Sequence, residues 1–325
     1  MSLPRADPTR LCAQNGKSSM ARSTPKPAQV AQYLGRKNSN RIASASAPST
    51  LPPDPHSIWQ MYSSLQRLRS LRHRFWYAVS ERIRWSRGAF EETPARELCS
   101  ANIEQSQRIA ALRDRYQVQF EQRMNAATSV NNYEYLDILD RGWSESGMGR
   151  PAGGELCDVG CASFWYAATL QTFFRPDRMV GVEVEGHRLF RDGRTRIDYA
   201  AGYLRSLPGA RFANVQFIIA DYTTYREPAD LITAWFPFLT PAAILAWRLP
   251  LTLLAPGRLF LQIRHNLRPN AMFFMVNHGE AEWALAEKLC NAAGLRCAAC
   301  WSSMPVRADP NAGVRVCGAF RCQRR

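Results

Sequence analysis

The sequence has few acidic residues and no long apolar run. Of its 325 residues, 42 are Lys or Arg and 27 are Asp or Glu, giving a formal net charge of +15. The longest stretch without a charged residue runs from Leu231 to Trp247, and Pro237 and Pro241 interrupt it. This stretch is too short for a typical transmembrane helix. The basic balance favours anionic partners such as nucleic acid or phosphorylated ligands, without choosing among them.

The nine cysteines do not suggest a disulfide framework. Their number is odd and they are scattered from Cys12 to Cys322, which favours a reducing compartment. We therefore expect a cytoplasmic protein, with an organelle transit peptide at the N-terminus as the alternative. Cys297 and Cys300 have a spacing found in zinc sites, but residues three apart on a strand point to opposite faces. We expect buried sheet cysteines and no metal site.

The first 130 residues predict two regions of different character. Residues 1–55 carry eight basic and two acidic residues and no apolar period, which predicts a disordered basic tail. Residues 56–130 predict a helical hairpin. The first helix has apolar residues at steps of three and four, namely Ile58, Tyr62, Leu65, Leu68, Leu71, Phe75, Val79 and Ile83. The second helix is predicted to begin at Thr93, with Pro94 in its first turn, and to continue through Met124.

Two interpretations of the hairpin remain open. Arginines mixed with Trp59, Trp76 and Trp85 could bind nucleic acid by charge and stacking. An amphipathic helix that packs its apolar stripe on a neighbour explains the same spacing, and we favour it. Residues 131–149 are predicted to form a connector, and the aromatic residues Tyr133, Tyr135 and Trp143 would help the hairpin to cap a crevice.

Residues 150–325 predict an α/β domain with a doubly wound, seven-stranded sheet. The predicted strands are Leu156–Val159, Met179–Val184, Val215–Ala220, Leu231–Ala234, Ala271–Asn277, Arg296–Trp301 and Val314–Arg321. The fifth strand is ambiguous, since Leu253–Ile263 is a second candidate. Glu280–Ala293 predicts a helix that must directly follow the strand, so we place the strand at Ala271–Asn277 and predict that 251–267 is mostly helical.

Three of these strands end in a carboxylate. The first runs into Asp158-Val159-Gly160-Cys161-Ala162, where a glycine at the strand-to-helix turn lets the backbone approach a ligand. Glu183 ends the second strand, placed to accept hydrogen bonds from ribose hydroxyls, and Asp221 follows the third. Because the carboxyl ends of parallel strands share one edge, the sequence predicts a ligand crevice there.

At these residues the domain resembles the class I S-adenosylmethionine-dependent methyltransferases, whose first strand usually reads Asp-x-Gly-x-Gly-x-Gly. Here Ala162 and Phe164 stand where the second and third glycines are expected. The resemblance implies S-adenosylmethionine as cofactor. It also implies the residues beside it, with Glu183 at the ribose and the last two at the adenine: Asp158, Gly160, Cys161, Ala162, Glu183, Asp221 and Tyr222. An NAD-binding domain would also combine glycines with an acid, but the last two strands, joined by a turn at 305–313, look like the antiparallel pair of the methyltransferase sheet.

The acceptor side is predicted from the fourth and fifth strands. The fourth strand leads into Trp235, Phe236 and Phe238, which could form an aromatic pocket for a flat acceptor or belong to the core. The fifth ends in Asn277 and His278. We predict that Asn277 contacts substrate and that His278 is the general base, oriented by Glu280. The alternative is that Asn277 or His278 only caps the next helix. An arginine group could bind an acceptor carboxylate or phosphate, or be a solvated face: Arg188, Arg191, Arg194 and Arg196.

The expected function is methyl transfer from S-adenosylmethionine to an unidentified small molecule. One alternative is an RNA methyltransferase, since residues 181–184 and the Phe236-Pro237 pair are similar to the tRNA guanine-N7 enzymes. The basic residues expected after that pair are missing. The other is a non-catalytic Rossmann-like binding protein, suggested by Phe164 in the altered glycine motif.

Overall fold

A computed structural model describes residues 62–95, 97–98, 103–207, 214–303 and 314–322. The predicted tail at 1–55 and the predicted turn at 305–313 lie outside these residues. Within them, no helix is both long and apolar enough to cross a bilayer.

The centre of the fold is one seven-stranded sheet. The strands are β1 Glu155–Val159, β2 Arg178–Glu183, β3 Val215–Ile219, β4 Ala229–Trp235, β5 Leu267–His278, β6 Leu295–Ser303 and β7 Arg315–Cys322. Their order is β3-β2-β1-β4-β5-β7-β6. β1 to β5 are parallel to one another, whereas β7 runs antiparallel between β5 and β6. All seven predicted strands are confirmed, including the choice made for the fifth.

Helices cover both faces of this sheet. They are α1 Ser64–Ile83, α2 Ile103–Tyr116, α3 Ala126–Ser146, α4 Ala167–Phe174, α5 Arg196–Arg205, α6 Pro241–Ala246, α7 Pro256–Asn266 and α8 Gly279–Ala292. On one face, Leu156 and Phe274 share a buried core with residues of α3 and α4. On the other, Cys157 and Phe273 share a second core with residues of α7 and α8. The helical segment predicted at 251–267 is confirmed by α7 and a short 3-10 turn at Leu251–Leu253.

The predicted hairpin takes a different form. The start of its second helix at Thr93 is wrong, because residues 91–95 are not helical and α2 begins at Ile103. The Ala95 N–H donates to the carbonyls of Glu121 and Met124, which holds this segment out of a helix. The two helices also have separate partners, since α1 lies on α6 while α2 packs on α3.

The segment predicted as a connector is mostly helix. α3 includes residues 131–146, and its N-cap Asn125 accepts a hydrogen bond from the Thr128 N–H. Leu136, Leu139 and Trp143 are buried against the sheet, at the steps of three and four that define a helix face. The connector prediction missed this stripe, and α3 belongs to the core of the α/β domain.

A β-bulge changes the prediction for the cysteines of β6. Cys297 pairs with Phe320 and Ala299 with Ala319, so one extra residue lies between them on β6. Cys300 therefore points to the same face as Cys297, contrary to the expected alternation, and the two thiols are neighbours. Among the described residues there is no group of three or more His, Cys, Asp or Glu side chains placed to hold a metal.

Candidate functional site

The turn after β1 is left-handed at three positions although it contains only one glycine. Gly160, Ala162 and Phe164 have φ values of +69°, +50° and +54°. These are left-handed conformations, which side chains other than glycine adopt at a cost. The three positions are those of the expected glycines, so Ala162 and Phe164 adopt a backbone conformation that favours glycine.

Phe164 is accommodated by a glycine elsewhere in the sheet. Its side chain is fully buried, with an exposed fraction of 0%. A Cβ on Gly181, in β2, would lie 2.7 Å from the Phe164 ring and 2.8 Å from Cys161 Sγ. The glycine expected at position 164 normally permits close packing of helix on strand. Here Gly181 provides the space, and the Phe164 ring points into the core rather than over the crevice.

The three predicted carboxylates lie near the carboxyl ends of β1 and β2 and in the loop that follows β3. Asp158 is fully buried and accepts hydrogen bonds from Tyr166 Oη at 2.6 Å and from the Thr233 hydroxyl. Burial raises the pKa of Asp158 to about 7. Glu183 accepts from the N–H of Ala162 at 2.8 Å and of Glu185 at 2.9 Å. The Glu183 carboxylate thus bridges the turn after β1 to the end of β2.

The third carboxylate is placed as predicted, but its neighbour is not. Asp221 is half-buried and accepts a hydrogen bond from the Thr223 N–H at 2.8 Å. Tyr222 is buried in the core beneath α7, where Asn266 Nδ2 lies 3.3 Å from its hydroxyl. Tyr222 therefore does not line the crevice, because the short 3-10 turn that follows Asp221 points its ring into the sheet's other face.

Two of the four predicted arginines after β2 belong to an internal ion-pair network, whereas Arg191 is exposed. Arg196 is 1% exposed and lies 2.8 Å from Glu185, and Arg188 lies 3.0 Å from the same carboxylate. Arg194 pairs with Asp192 at 3.1 Å. Arg188 and Arg196 therefore belong to neither of the predicted alternatives. They do not form a solvated face, and they are not free to bind an anionic acceptor. Glu185, which the sequence analysis did not single out, is their common partner.

Aromatic rings fill the edge at the ends of β4 and β5. Trp235 stacks on Tyr135 of α3 with ring centroids 4.2 Å apart, and Phe236 stacks on His278 at 4.0 Å. Phe236 has a φ of +56°, which turns its ring toward β5. Phe238 is not part of this group, because it packs on Trp247 below α1.

The predicted catalytic pair is not formed. Glu280 is exposed and makes no hydrogen bond to His278 among the described residues, whereas Glu282 accepts a hydrogen bond from the His278 backbone N–H at 2.6 Å. Glu282 thus caps α8, with burial raising its pKa to about 7. Burial, followed by the charge of Arg315, lowers the pKa of His278 to about 4. The imidazole is neutral at pH 7 and is a weak base.

Asn277 is separated from the aromatic rings by strand alternation. It is fully buried, and its side-chain amide has no hydrogen-bond partner among the described residues. Neighbouring residues of a strand point to opposite faces, so Asn277 lies on the α8 side while His278 lies with Phe236. Asn277 does not reach the predicted acceptor side.

Two residues of this edge were missed by the sequence analysis. Arg315, at the start of β7, pairs in register with His278, and its guanidinium lies 5.6 Å from the Phe236 ring centroid. Glu134 of α3 lies 2.5 Å from Arg315, and both side chains are buried. No local motif marks this pair, because it joins residues 181 positions apart. Tyr135, predicted as part of a cap, does reach the edge, whereas Tyr133 and Trp143 are core residues.

Helix α1 lies across the same edge through polar contacts. Tyr77 Oη donates to the Val184 carbonyl at 3.3 Å, next to Glu183. Ser70 Oγ accepts from the Leu251 N–H at 2.9 Å, and His73 Nδ1 lies 3.3 Å from the Leu249 carbonyl oxygen. α1 therefore bridges the strand ends of β2 and the segment that follows β4.

A cavity of about 600 Å³ lies elsewhere, between the end of α2 and α4. Arg113, Gln117 and Thr172 are among its lining residues. It contains none of the predicted cofactor or acceptor residues, so we do not assign it to the crevice.

No family model and no curated protein sequence matches this chain. Solved structures do resemble it. A candidate RNA methyltransferase from Pyrococcus horikoshii has a TM-score of 0.42 and 12% identity, covering 59% of this chain and 85% of its own. An S-adenosylmethionine-dependent methyltransferase from Clostridium acetobutylicum has a TM-score of 0.40 and 11% identity, covering 67% and 99%. A ribosomal protein L11 methylase from Lactobacillus delbrueckii has a TM-score of 0.40 and 10% identity, covering 60% and 81%.

The sheet topology itself decides the fold. The seven strands have the order β3-β2-β1-β4-β5-β7-β6, and β7 is antiparallel to its neighbours, which confirms the final antiparallel pair that the resemblance implied. The fold is that of the class I methyltransferases. An NAD-binding sheet does not have this final antiparallel pair, so the competing interpretation of the glycine turn is excluded as a fold. Two of the three similar proteins are named for an acceptor, RNA in one and ribosomal protein L11 in the other.

Proposed function

We propose that this chain transfers a methyl group from S-adenosylmethionine to an acceptor held at the aromatic end of the carboxyl edge. The observation that carries the proposal is the alignment of Asp158, Glu183 and Asp221 at three successive strand ends, beside the left-handed turn at Gly160. When bound, the cofactor supplies an activated methyl group on a sulfonium. The protein then has to align the acceptor and exclude water.

The residues of the turn fit this cofactor. A Cβ built on Gly160 would meet nothing within 4 Å, so the backbone there is open to a ligand. The backbones of Cys161 and Ala162 continue the same turn. Each carboxylate oxygen of Glu183 accepts one backbone hydrogen bond and has a second lone pair for a ribose hydroxyl. Asp221 has an exposed part of its side chain available at the adenine end. Asp158 would favour the cationic sulfonium once it is ionised.

The aromatic end supports acceptor binding by shape. Phe236 and His278 are half-buried and stacked on each other, so a flat acceptor would stack beside this pair, whereas Trp235 is buried against Tyr135 and supports it from within. A carboxylate acceptor would need no base. A hydroxyl acceptor would use the neutral His278, whose low pKa makes it a weak base and limits this route. Glu280 has no part in this proposal because it is exposed and does not contact the imidazole.

Calorimetric titration with S-adenosylmethionine and S-adenosylhomocysteine tests the proposal. We expect binding of both by the full chain and its loss in Glu183→Ala. Glu227→Gln is the matched control, because Glu227 is an exposed acid before β4, at the opposite edge of the sheet. Absence of binding to the folded wild-type chain at about millimolar cofactor would contradict the proposal. A circular dichroism spectrum shows whether Glu183→Ala has kept its fold.

A further inference from the structure

Helix α1 is docked with its polar side inward. Ser70, His73 and Tyr77 face the α/β domain and make the contacts to Leu251, Leu249 and Val184 described above. Most of the apolar stripe predicted to pack on a neighbour points away from the domain, and the exceptions are Tyr62, which packs beside α6, and the half-buried Val79. The packing of α1 is therefore the inverse of the packing expected for an amphipathic helix on a globular core.

The outward stripe is large. Each of its main side chains is more than half exposed: Leu65 60%, Leu68 66%, Leu71 56%, Phe75 61%, Trp76 60% and Ile83 64%. Trp85, just after the helix, is 54% exposed. These are seven of the eleven strongly exposed large apolar side chains in the described part of the chain. Contiguous exposed apolar surface of this kind marks an interaction site.

The charges beside the stripe are of one sign. α1 contains five arginines and one acid, Glu81. Four of its arginines, Arg69, Arg72, Arg74 and Arg82, are exposed, as are Arg84 and Arg87 directly after it. Residues 1–55, which precede the helix, add eight basic and two acidic residues. The surface thus combines an apolar face with basic residues beside it and, at Arg72, within it.

We propose that α1 is an interfacial helix that docks the protein on an anionic lipid bilayer. Leucine, phenylalanine and tryptophan side chains of this face would enter the boundary between headgroups and acyl chains. The arginines would extend to the headgroup phosphates. Anionic lipids attract such basic segments electrostatically. Because the inner side of α1 lies on the ends of β2 and the segment after β4, docking would turn the carboxyl edge of the sheet toward the membrane.

Other occupants fit this surface less well. A second copy of α1 would bring Arg72, which lies within the stripe, against the same positive surface. The basic segment 1–55 has the same sign of charge. Nucleic acid would be attracted by the arginines and could stack on Phe75 or Trp76. It would not bury the exposed aliphatic side chains of Leu65, Leu68, Leu71 and Ile83.

Vesicle flotation of the full chain tests the proposal. The vesicles are phosphatidylcholine alone and an equimolar mixture of phosphatidylcholine and phosphatidylglycerol. The test variant is Leu68→Ser with Phe75→Ser. The matched control is Leu189→Ser with Leu261→Ser, since these two leucines are each 57% exposed but lie outside α1. All four positions are on the surface, so both double variants should fold, which thermal unfolding checks. A third variant, Arg69→Gln with Arg72→Gln, removes charge alone.

We expect the wild type and the control to float with the anionic vesicles, and the test variant to bind at least about tenfold more weakly. The charge variant should bind more weakly at low salt, with the difference shrinking as salt rises. The proposal is overturned if the wild type does not bind anionic vesicles. It is equally overturned if the test variant binds as well as the control, which would assign binding to the basic tail. If the wild type did not bind vesicles but formed concentration-dependent dimers or bound polyuridylate, and the Leu68→Ser, Phe75→Ser variant lost that property, the stripe would be assigned to another partner.

Discussion

The two halves of the carboxyl edge use different kinds of interaction. At the ends of β1 to β3, carboxylates accept hydrogen bonds from backbone N–H groups and hydroxyls, as Glu183 does from Ala162 and Glu185. At the ends of β4 and β5, ring stacking dominates, with Trp235 on Tyr135 and Phe236 on His278. The first half is held together by hydrogen bonds between neighbouring strand ends, such as the one from the Ala162 N–H to Glu183. The second half needs α3 and β7, which are far apart in the sequence.

Under the proposed function, the first half (the cofactor half) would bind a constant cofactor and the second half (the acceptor half) a variable acceptor. Backbone groups and carboxylates set fixed hydrogen bonds, and such a half tolerates little change in geometry. Stacked rings accept many flat shapes, so the acceptor half constrains its ligand weakly. The comparison predicts that substitutions in the first half act through the turn after β1 and the buried ring of Phe164 beneath it, and those in the second half through ring stacking and charge.

The largest effect is expected for Phe164→Ala in the first half. Its ring is fully buried beside Gly181, so truncation leaves a cavity and should lower the free energy of unfolding by about 3–5 kcal/mol. Gly181→Ala alone should cost about 1–3 kcal/mol through overpacking against the ring. Urea denaturation of the single and double variants measures both.

The double variant decides whether the two positions act together. If Gly181 exists to accommodate Phe164, adding Gly181→Ala to Phe164→Ala should cost less than it does in the wild type, by about 1 kcal/mol or more. Strictly additive losses would show that the two residues contribute independently.

In the second half, the buried pair of Glu134 and Arg315 should be the most sensitive contact. Glu134→Met leaves the Arg315 guanidinium buried without its partner, and we expect a loss of about 3 kcal/mol in unfolding free energy. Replacing both residues by Met should recover most of the loss, since two apolar side chains leave no unpaired charge.

The exposed pair of Arg178 and Glu227, 3.7 Å apart, provides the control. Glu227→Gln should cost less than about 1 kcal/mol. Equal losses at the two pairs would contradict the idea that burial makes the Glu134 contact important for the acceptor half.

The sequence predicted the first half better than the second for a physical reason. Asp158, Gly160 and Glu183 lie in or next to short strand-turn-helix motifs, whose local pattern fixes their position at the sheet edge. All seven strands were found in the same way, from apolar runs and turn residues. The sequence predicted Glu280 as the partner of His278, but Glu282 is the acid that contacts it, through the His278 backbone N–H. Which of two nearby acids reaches back to the start of α8 depends on side-chain packing and not on spacing.

The predictions that proved wrong all concern contacts that depend on tertiary packing. The periodicity of α1 predicts a helix but does not determine which side of it packs on the protein. That side is set by the Leu251 N–H donating to Ser70 and by Tyr77 donating to the Val184 carbonyl. The bulge between Cys297 and Ala299 reverses the expected alternation and leaves no local sign. Arg315 joins the site only through strand pairing with β5 and an ion pair with α3.

A smaller effect is expected from the titration of His278. Its folded pKa, about 4, lies below the unfolded value near 6.5. The stability that follows from this difference is therefore present above about pH 6.5 and is lost as the pH falls through about 4. His278→Gln should make unfolding free energy less pH-dependent in that range, by about 1 kcal/mol once partial exposure is taken into account.

Comparing the two proteins at about pH 7 and about pH 4.5 isolates this contribution. Glu282 and Asp158, whose pKa values are raised to about 7, have the opposite sign but are present in both proteins and cancel in the difference. An unchanged pH dependence in His278→Gln would show that the imidazole is protonated equally in the folded and unfolded states, and hence is not buried against Phe236 and Arg315.

The smallest effect concerns the backbone of the first half, at Ala162. With φ at +50°, Ala162→Gly should relieve left-handed strain of about 1 kcal/mol while increasing the entropy of the unfolded chain, for a net gain of about 0.5 kcal/mol. The N–H that donates to Glu183 is retained, so cofactor affinity should not fall. Ala284→Gly, on an exposed face of α8, is the matched control and should lose about 1 kcal/mol. Thermal unfolding distinguishes the two signs. If Ala162→Gly destabilised the protein as much as the control does, the backbone at Ala162 would not be left-handed.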